Sequence, residues 1–315
     1  MKKLWFVLLS AVCAAAMSAA DARPVYCTTY PLYLFTKNLT RNCPDRRVEL
    51  VIPPGTGCPH DYVLTPADMR KLGIKNLIVV RNGLGMDDFI LKPLAKMNPD
   101  AVVIDATRGL RTLEEKPSCG CGHEHAEKSD AHGEHGHEHG HTHGGRNPHL
   151  FASPVTAMGM VENIARGLEK ADPAHAALYR ANAKAYLEKL NALKKQIDAL
   201  APRVKGHAVV AQHGIFDYLA EALGLKVAAA ISDGKTSPSA AEMKALIREI
   251  KEKKISVIFT EPQYPARTAE ALARECGIRT VRLDPVASGP ADAPGDYYEK
   301  VMENNLKIIQ GVFVK

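Results

Sequence analysis

Short apolar segments alternate with amphipathic ones along most of this chain, and the alternation occurs in two similar sets. In the first half, apolar runs rich in β-branched residues predict four strands, at Val25–Thr29, Val48–Ile52, Leu77–Val80 and Ala101–Asp105. Helical spacing between these runs predicts three helices, near Tyr33–Arg41, Pro66–Leu72 and Asp88–Lys96. Thr65 and Asp68 form a capping box around Pro66, which marks the start of the second helix.

The second half repeats this pattern. Its apolar runs predict strands at Ala208–Ala211, Val227–Ile231, Val257–Thr260 and Thr280–Leu283. Its helices are predicted near Phe216–Leu223, Pro238–Lys253, Ala266–Cys276 and Tyr297–Gln310, and Ser239 with Glu242 forms a second capping box. Short apolar strands that alternate with helices are typical of parallel sheets covered on both faces. The predicted fold class is therefore α/β, with two lobes that each contain a mainly parallel four-stranded sheet flanked by helices.

Two helical segments connect the halves, Pro154–Lys170 and Pro173–Leu200. Asp172 before Pro173 is an N-cap followed by proline, so a new helix is predicted to begin there. Apolar residues recur at helical spacing along it, at Leu178, Ala181, Ala185, Leu187, Leu190, Leu193, Ile197 and Leu200. A helix of ~28 residues spans about 40 Å at 1.5 Å per residue, which predicts one long rigid helix between the lobes. A surface helix local to one domain is the alternative.

The first 22 residues have the pattern of a secretory signal peptide. Lys2 and Lys3 precede the apolar run Leu4–Met17, and small residues follow it, so cleavage is predicted after Ala22. A lipid anchor on Cys13 is disfavoured because Val12 precedes it where a small residue is wanted. The predicted organisation is a signal peptide at 1–22, an N-terminal lobe at 23–153, connecting helices at 154–204 with the linker helix at about 173–200, and a C-terminal lobe at 205–315. The mature protein is predicted to be soluble and exported.

Charge adds little to this interpretation. The formal net charge is +6, and the basic residues are spread thinly without interleaved aromatic residues. Nucleic acid is therefore not an expected partner.

The segment at 119–146 has a composition unlike the rest of the chain. It contains eight of the thirteen histidines, which are His123, His125, His132, His135, His137, His139, His141 and His143. Because no apolar residue larger than alanine occurs in it, it cannot form a core and is predicted to be a mobile loop. Imidazole is the commonest protein ligand for borderline metals, so the loop is interpreted as an accessory metal site. A solvated linker that binds nothing is the alternative.

Four possible metal ligands follow predicted strands. His60 follows the second strand, His149 the fourth, His213 the first strand of the second half, and Asp284 the last strand. Ligands bind at the carboxyl ends of strands in open α/β sheets, so two residues from each half are expected to face one cleft. Three imidazoles and a carboxylate are a credible tetrahedral set for zinc. Glu261 also ends a strand near this cleft, and either a role behind the ligands or a structural ion pair would explain it.

The remaining cysteines and histidines leave several alternatives open. Cys58 lies beside His60, and a disulfide with Cys27 or Cys43 is favoured over a thiolate ligand in an exported protein. Metal binding within the His-rich loop is possible for Cys119 and Cys121. Structural roles are expected for Cys276, His175 and His207.

The motifs around these ligands resemble those of a known family. They are Pro53-Pro54-Gly55 through Pro59-His60-Asp61-Tyr62, then Asn147-Pro148-His149, Gln212-His213-Gly214, Phe259-Thr260-Glu261-Pro262-Gln263 and Leu283-Asp284-Pro285. In this order, over the whole mature chain, they are similar to the zinc/manganese substrate-binding proteins of ABC transporters, the cluster A-I periplasmic binding proteins. The His-rich insertion resembles that of the zinc-uptake members.

The resemblance implies a function and a ligand set. The expected function is capture of Zn²⁺ between the lobes and delivery to an inner-membrane ABC permease with its cytoplasmic ATPase, by a monomer that is not an enzyme. His60, His149, His213 and Asp284 match the family's ligand positions, and histidine at 213 favours zinc because manganese members have glutamate there. Residue 59 is proline where some zinc members have an acidic side chain, so either Asp284 or water would complete the site.

Two alternatives belong to other functional classes. The first alternative is a manganese-binding, metal-buffering or adhesin-like surface protein of the same family. A zinc hydrolase is the second, and it is disfavoured because no H-E-x-x-H motif occurs and Glu261 is the only candidate general base.

Overall fold

The structure is a computed structural model that describes residues 24–56, 59, 62–115, 145–231 and 238–314. The signal peptide, His60, Cys58, Cys119, Cys121 and the eight loop histidines lie outside the described residues, so the predictions for them remain predictions. Among the described helices, none combines the length and the apolar character that a bilayer span requires.

The first half contains one parallel four-stranded sheet. Its strands are β1 (Val25–Cys27), β2 (Val48–Leu50), β3 (Ile78–Arg81) and β4 (Val102–Asp105), in the order β2-β1-β3-β4. Its helices are α1 (Tyr30–Leu39), α2 (Pro66–Leu72) and α3 (Leu91–Met97), and a 3-10 turn at Asp88–Ile90 precedes α3. Helix α1 begins three residues before the predicted start because Pro31 occupies its first turn, where proline is preferred.

The second half has the same topology. Its strands are β5 (Ala208–Ala211), β6 (Lys226–Ala230), β7 (Val257–Thr260) and β8 (Arg279–Arg282), all parallel in the order β6-β5-β7-β8. Its helices are α6 (Asp217–Leu223), α7 (Ala240–Glu252), α8 (Arg267–Cys276) and α9 (Tyr297–Phe313). Both predicted capping boxes are present, at Thr65 with Asp68 and at Ser239 with Glu242. The predicted fold class is confirmed, whereas the exact domain boundaries remain a prediction.

A long helix lies between the two sheets. Helix α4 (Pro154–Ala171) leads through a 3-10 turn at Pro173–His175 into α5 (Ala176–Val204). Helix α5 packs against α1 and α4 of the first half and its connection and against α6 and α9 of the second, so it contacts both halves. The helix continues four residues beyond the predicted end at Leu200, with Pro202 in its last turn. Burial of Val204 anchors this turn despite the hydrogen bond that proline removes.

The buried face of α5 differs in part from the predicted one. Ala181 and Ala185 are exposed, whereas Tyr179, Ala183 and Tyr186 face the core. Tyrosine rings bury far more area than alanine methyl groups, so the two tyrosines decide which face of this part of the helix turns inward. From Leu190 onward, the predicted apolar residues at 190, 193, 197 and 200 are buried as expected.

One hydrophobic core extends from the first sheet through α4 and α5 to the second sheet. Alternate strand residues point into it, such as Val25 and Cys27 on β1 and Val257 and Phe259 on β7. Their neighbours, such as Tyr26 and Ile258, contribute instead to two smaller cores on the outer faces. Both faces of each sheet are therefore covered, as parallel sheets require, and the carboxyl ends of their strands are held at defined positions.

Candidate metal centre

Four candidate side chains follow the carboxyl ends of strands. His149 precedes the 3-10 turn Leu150–Ala152, and His213 follows β5 in extended backbone before the turn Gly214–Phe216. Glu261 comes directly after β7, and Asp284 follows β8 by two residues. These are the positions that the sequence predicted for a cleft.

The two described histidines of this set meet face to edge. The ring centroids of His149 and His213 lie 4.9 Å apart with an angle of 84° between the planes. The residues are 1% and 5% exposed, respectively, although they come from opposite halves of the chain. A buried pair of imidazoles this close suits a shared metal ion, because two Zn–N bonds of about 2 Å can converge from such positions.

Asn147 orients His149. Its Oδ1 accepts from the backbone N–H of His149 at 3.0 Å and lies 2.9 Å from Nδ1 of the same residue. An amide oxygen can only accept, so Nδ1 carries the proton and Nε2 is the nitrogen suited to a metal. The hydroxyl of Tyr218 donates to Asn147 O at 2.6 Å, and Asn82 Nδ2 donates to Pro148 O at 3.0 Å. The segment before His149 is thus held on both sides.

Asn147 also joins the two halves. Its Nδ2 donates to Gly214 O at 2.8 Å and to Asp217 Oδ2 at 3.3 Å, and Gly214 directly follows His213. The buried side-chain amide of Asn147 therefore fixes the imidazole of His149 and contacts the residue next to His213. Asn147 lies in the motif Asn147-Pro148-His149, but no local pattern predicts its contacts.

Glu261 lies behind His213. The residue is 2% exposed, and its Oε1 is 3.8 Å from Nδ1 of His213. The side-chain amide of Gln263 donates to Oε2, and the backbone N–H of Glu261 donates to Gln212 Oε1 at 3.2 Å. Burial and then the neighbouring charge of Asp284 raise the pKa of Glu261 to about 8. A divalent cation in the cleft would favour its ionised form, which is the form that accepts a hydrogen bond from a metal-bound histidine.

The position of Asp284 is fixed by α9 and by a strained turn. Asn305 accepts from the backbone N–H of Asp284 at 3.0 Å and donates to its carbonyl oxygen at 2.7 Å. Val286 N–H donates to Asp284 Oδ1 at 2.8 Å, and Val286 has a φ of 62°. A β-branched residue rarely adopts this left-handed conformation, which costs about 1–3 kcal/mol and is held here by complete burial of the side chain. Burial raises the pKa of Asp284.

The loops after β2 and β8 contact each other. Gly289 N–H donates to Pro54 O at 3.2 Å, and the Tyr30 hydroxyl donates to Pro290 O at 2.8 Å. A Cβ on Gly289 would lie 2.6 Å from the Tyr30 ring, so only glycine permits this approach. The segment that leads towards His60 therefore contacts the loop that carries Asp284.

Comparison with known proteins shows the family of the chain. Residues 25–312 match the family described as "Zinc-uptake complex component A periplasmic". The chain is 33% identical over 321 residues to the zinc-binding lipoprotein AdcA of Streptococcus pneumoniae strain TIGR4, covering 98% of this chain and 61% of that protein. It is 32% identical to the high-affinity zinc uptake system protein ZnuA of Bacillus subtilis strain 168, covering 94% of this chain and 89% of that protein. The chain thus spans about three fifths of the length of the first of these relatives.

Solved structures with the same fold include metal-binding proteins. The SBP FpvC of Pseudomonas aeruginosa in complex with Mn²⁺ has a TM-score of 0.74 and 29% identity, covering 93% of this chain and all of that one. The metal-dependent lipoprotein YcdH of Bacillus subtilis has a TM-score of 0.70 and 28% identity, covering 92% of this chain and 98% of that one.

Proposed function

The chain belongs to the family of periplasmic zinc-uptake components, and from this premise we propose that it captures zinc between its two halves and delivers it to an ABC permease. The observation that carries the proposal is the pair of buried imidazoles, His149 and His213, which come from opposite halves and lie 4.9 Å apart. A cation held by both would bind the two halves together, as a solute-binding protein requires of its cargo.

The proposed ligands are His60, His149, His213 and Asp284. His149 would bind through Nε2, since Asn147 accepts from Nδ1. Three nitrogens and one oxygen suit tetrahedral zinc, whereas manganese prefers more oxygen ligands and follows zinc in general affinity. One structural relative is in complex with Mn²⁺, so the donor set and not the fold must decide the metal.

Glu261 is proposed to support His213 without binding the metal. Zinc on the other ring nitrogen of His213 would make Nδ1 a donor, and Glu261 Oε1 is the acceptor beside it. A contraction from 3.8 Å to hydrogen-bond length would then accompany metal binding.

The His-rich loop is proposed to act as an accessory collector. Its two ends are joined where Glu114 pairs with Arg146 in an antiparallel bridge and Glu115 N–H donates to Gly145 O at 2.8 Å. Asn147 N–H donates to Leu113 O at 2.8 Å in the same ladder. The described residues that flank the histidine-rich segment therefore lie side by side, next to the backbone that leads to His149, which supports transfer of metal from the loop to the cleft.

The cellular setting belongs to the same proposal. The relatives are named as lipoproteins or as a periplasmic component, which places the family outside the cytoplasm. We extend this to export with cleavage after Ala22, to a monomer in the periplasm, and to a permease with its cytoplasmic ATPase as partners. The role is transport and not catalysis.

The test begins with the metal content of the chain purified without a His-tag or chelator. Zinc affinity of a chain lacking residues 122–145 should fall at least about tenfold on His149→Ala, a change of about 1.4 kcal/mol. His207→Ala is the matched control, because His207 bonds to Val204 O far from the strand carboxyl ends. Equal zinc affinity in both variants would exclude His149 as a ligand. Poor growth under zinc chelation of cells lacking the chain, corrected by added zinc, would support the uptake role.

A further inference from the structure

A second group of metal-binding side chains lies at the opposite edge of the first sheet. Cys43 and Asp45 lie in the turn between α1 and β2. Val25 N–H donates to Arg47 O at 2.9 Å, which fixes this turn at the amino-terminal edge of the sheet. His175 belongs to the 3-10 turn between α4 and α5. We name Cys43, Asp45 and His175 the edge cluster. The cleft residues follow the carboxyl ends of the strands, so the two groups are separate.

The three side chains of the edge cluster converge. One ligand atom from each lies within 4.8 Å of the other two. The Cys43 thiol donates to Asp45 Oδ1 at 3.3 Å, and His175 Nε2 lies 3.4 Å from the same oxygen. The side chains of Asp45 and His175 are 16% and 20% exposed, respectively, so an ion can reach the cluster from solvent.

Asp172 orients His175 as a carboxylate orients a zinc-binding histidine. His175 Nδ1 lies 2.9 Å from Asp172 Oδ2, so Nδ1 is the ring nitrogen that donates to Asp172, and Nε2 faces Asp45 Oδ1 at 3.4 Å. Asp172 is itself held by Arg46 Nη2 at 2.8 Å and by the Tyr179 hydroxyl at 2.6 Å. Burial opposes ionisation of Asp172, but these hydrogen bonds outweigh it and lower its pKa. The imidazole therefore has a fixed direction before any ion arrives.

Two carboxylates, Asp45 and Asp172, share one arginine at the cluster, because Arg46 pairs with both. A dication bound there would meet excess negative charge. Burial raises the pKa of the Cys43 thiol to about 11, so the thiol is protonated without a metal. When a metal binds, the S–H bond breaks, a metal–sulfur bond forms and the proton leaves to solvent. Three anions then face Arg46 and one dication.

We propose that the edge cluster is a second metal site, which takes a thiophilic divalent ion of the zinc class on Cys43 Sγ, Asp45 Oδ1 and His175 Nε2. One sulfur, one nitrogen and one oxygen suit zinc, cobalt or cadmium, and disfavour magnesium and manganese. The bound ion would tie the turn before β2 to the junction of α4 and α5. His175, which the sequence analysis treated as structural, becomes a ligand.

Cobalt titration tests the site through its sulfur ligand. The full mature chain carrying Cys58→Ser, Cys119→Ser and Cys121→Ser should develop the near-ultraviolet absorption of a cobalt–thiolate bond, and at cobalt saturation its intensity should correspond to one such site. Cobalt in the cleft has only nitrogen and oxygen ligands and gives no such band, so the outcome is independent of the cleft proposal.

Variants assign the band to the edge cluster. Cys43→Ser should abolish it, and His175→Gln should weaken cobalt binding at least about tenfold. Cys276→Ser, which removes a partly buried thiol outside the edge cluster, should leave it unchanged. If Cys43→Ser does not fold, slower alkylation of Cys43 in the presence of zinc provides the same test. The proposal is overturned if no band forms, if the band survives Cys43→Ser, if Cys276→Ser removes it equally, or if Cys43 is found in a disulfide in the natural protein.

Discussion

Replacing Asn147 with alanine should weaken zinc binding although Asn147 is not a proposed ligand. Its Oδ1 accepts from the backbone N–H of His149 at 3.0 Å and from Nδ1 at 2.9 Å. Without this acceptor the imidazole can rotate and adopt either tautomer, so Nε2 is no longer directed into the cleft. Loss of such a supporting partner typically costs about 10- to 100-fold in metal affinity, which is about 1.4 to 2.7 kcal/mol.

The same substitution should also reduce the free energy of unfolding. Asn147 is 1% exposed, and its Nδ2 donates to Gly214 O at 2.8 Å and to Asp217 Oδ2 at 3.3 Å. Removing the amide leaves buried polar groups of both halves without these hydrogen bonds, and we expect a loss of about 2 to 4 kcal/mol. The stability loss and the affinity loss therefore need separate measurements.

Competition titration with a zinc chelator gives the affinity of the folded protein, and urea unfolding of the metal-free protein gives the stability. Asn98→Ala is the matched control, because Asn98 is 8% exposed and donates to Leu72 O at 3.2 Å and Ile74 O at 2.6 Å, away from the cleft. The control should lose stability and keep its zinc affinity. Should Asn147→Ala also keep its zinc affinity while losing stability, the reasoning that Asn147 orients His149 would be refuted.

Three further predictions concern the selectivity, the loop and the pH dependence. His213→Glu should lower zinc affinity at least about tenfold, or about 1.4 kcal/mol, and should narrow the preference for zinc over manganese. His213→Ala should also weaken zinc binding, but it should not improve relative manganese binding. Competition titrations on loop-deleted protein measure both affinities. Deleting Gly122–Gly145 should lower the total zinc bound and leave one tight site. If calorimetry shows that the tight site is lost although the protein stays folded, the principal zinc site is not in the cleft. For Asp68, burial is outweighed by hydrogen bonds from Thr65 and Tyr62, which lower its pKa from 3.8 to about 2. Ionised Asp68 thus contributes about 2 kcal/mol to the free energy of unfolding above pH ~4, and this contribution is lost as the pH falls towards ~2. In urea unfolding, the stability of Asp68→Asn should therefore decline less over this pH interval than that of the unchanged protein.

The hydrophobic pattern alone predicted the elements and their class. All eight predicted strands are present, and β5 and β7 have the predicted bounds. The prediction of these elements succeeded because periodicity, capping boxes and proline positions are local signals, which depend only on residues a few positions apart. The error on α5, where Ala181 and Ala185 face solvent, arose because two tyrosines of the same helix determine which face packs inward.

The candidate site was predictable only in part. Strand ends and the family motifs singled out His149, His213 and Asp284, and the structure brings the first two within ring contact. Neither source indicated that Asn305 would hold Asp284, or that Val286 would adopt a left-handed conformation beside it. Those features depend on how α9 packs against the loop after β8, which no local pattern encodes.

The sequence by itself determined the repeated α/β pattern, the histidine-rich segment and the residue types available to bind a metal. Tertiary structure decided which of these residues meet. Asn147 reaches the residue after His213, and Cys43 meets His175, across separations of 67 and 132 residues along the chain. Such encounters arise from the packing of two sheets and one long helix around a shared core, because side-chain hydrogen bonds and metal ligation act over only about 2–3.5 Å. A pattern along the chain contains no distance on that scale between residues so far apart in sequence.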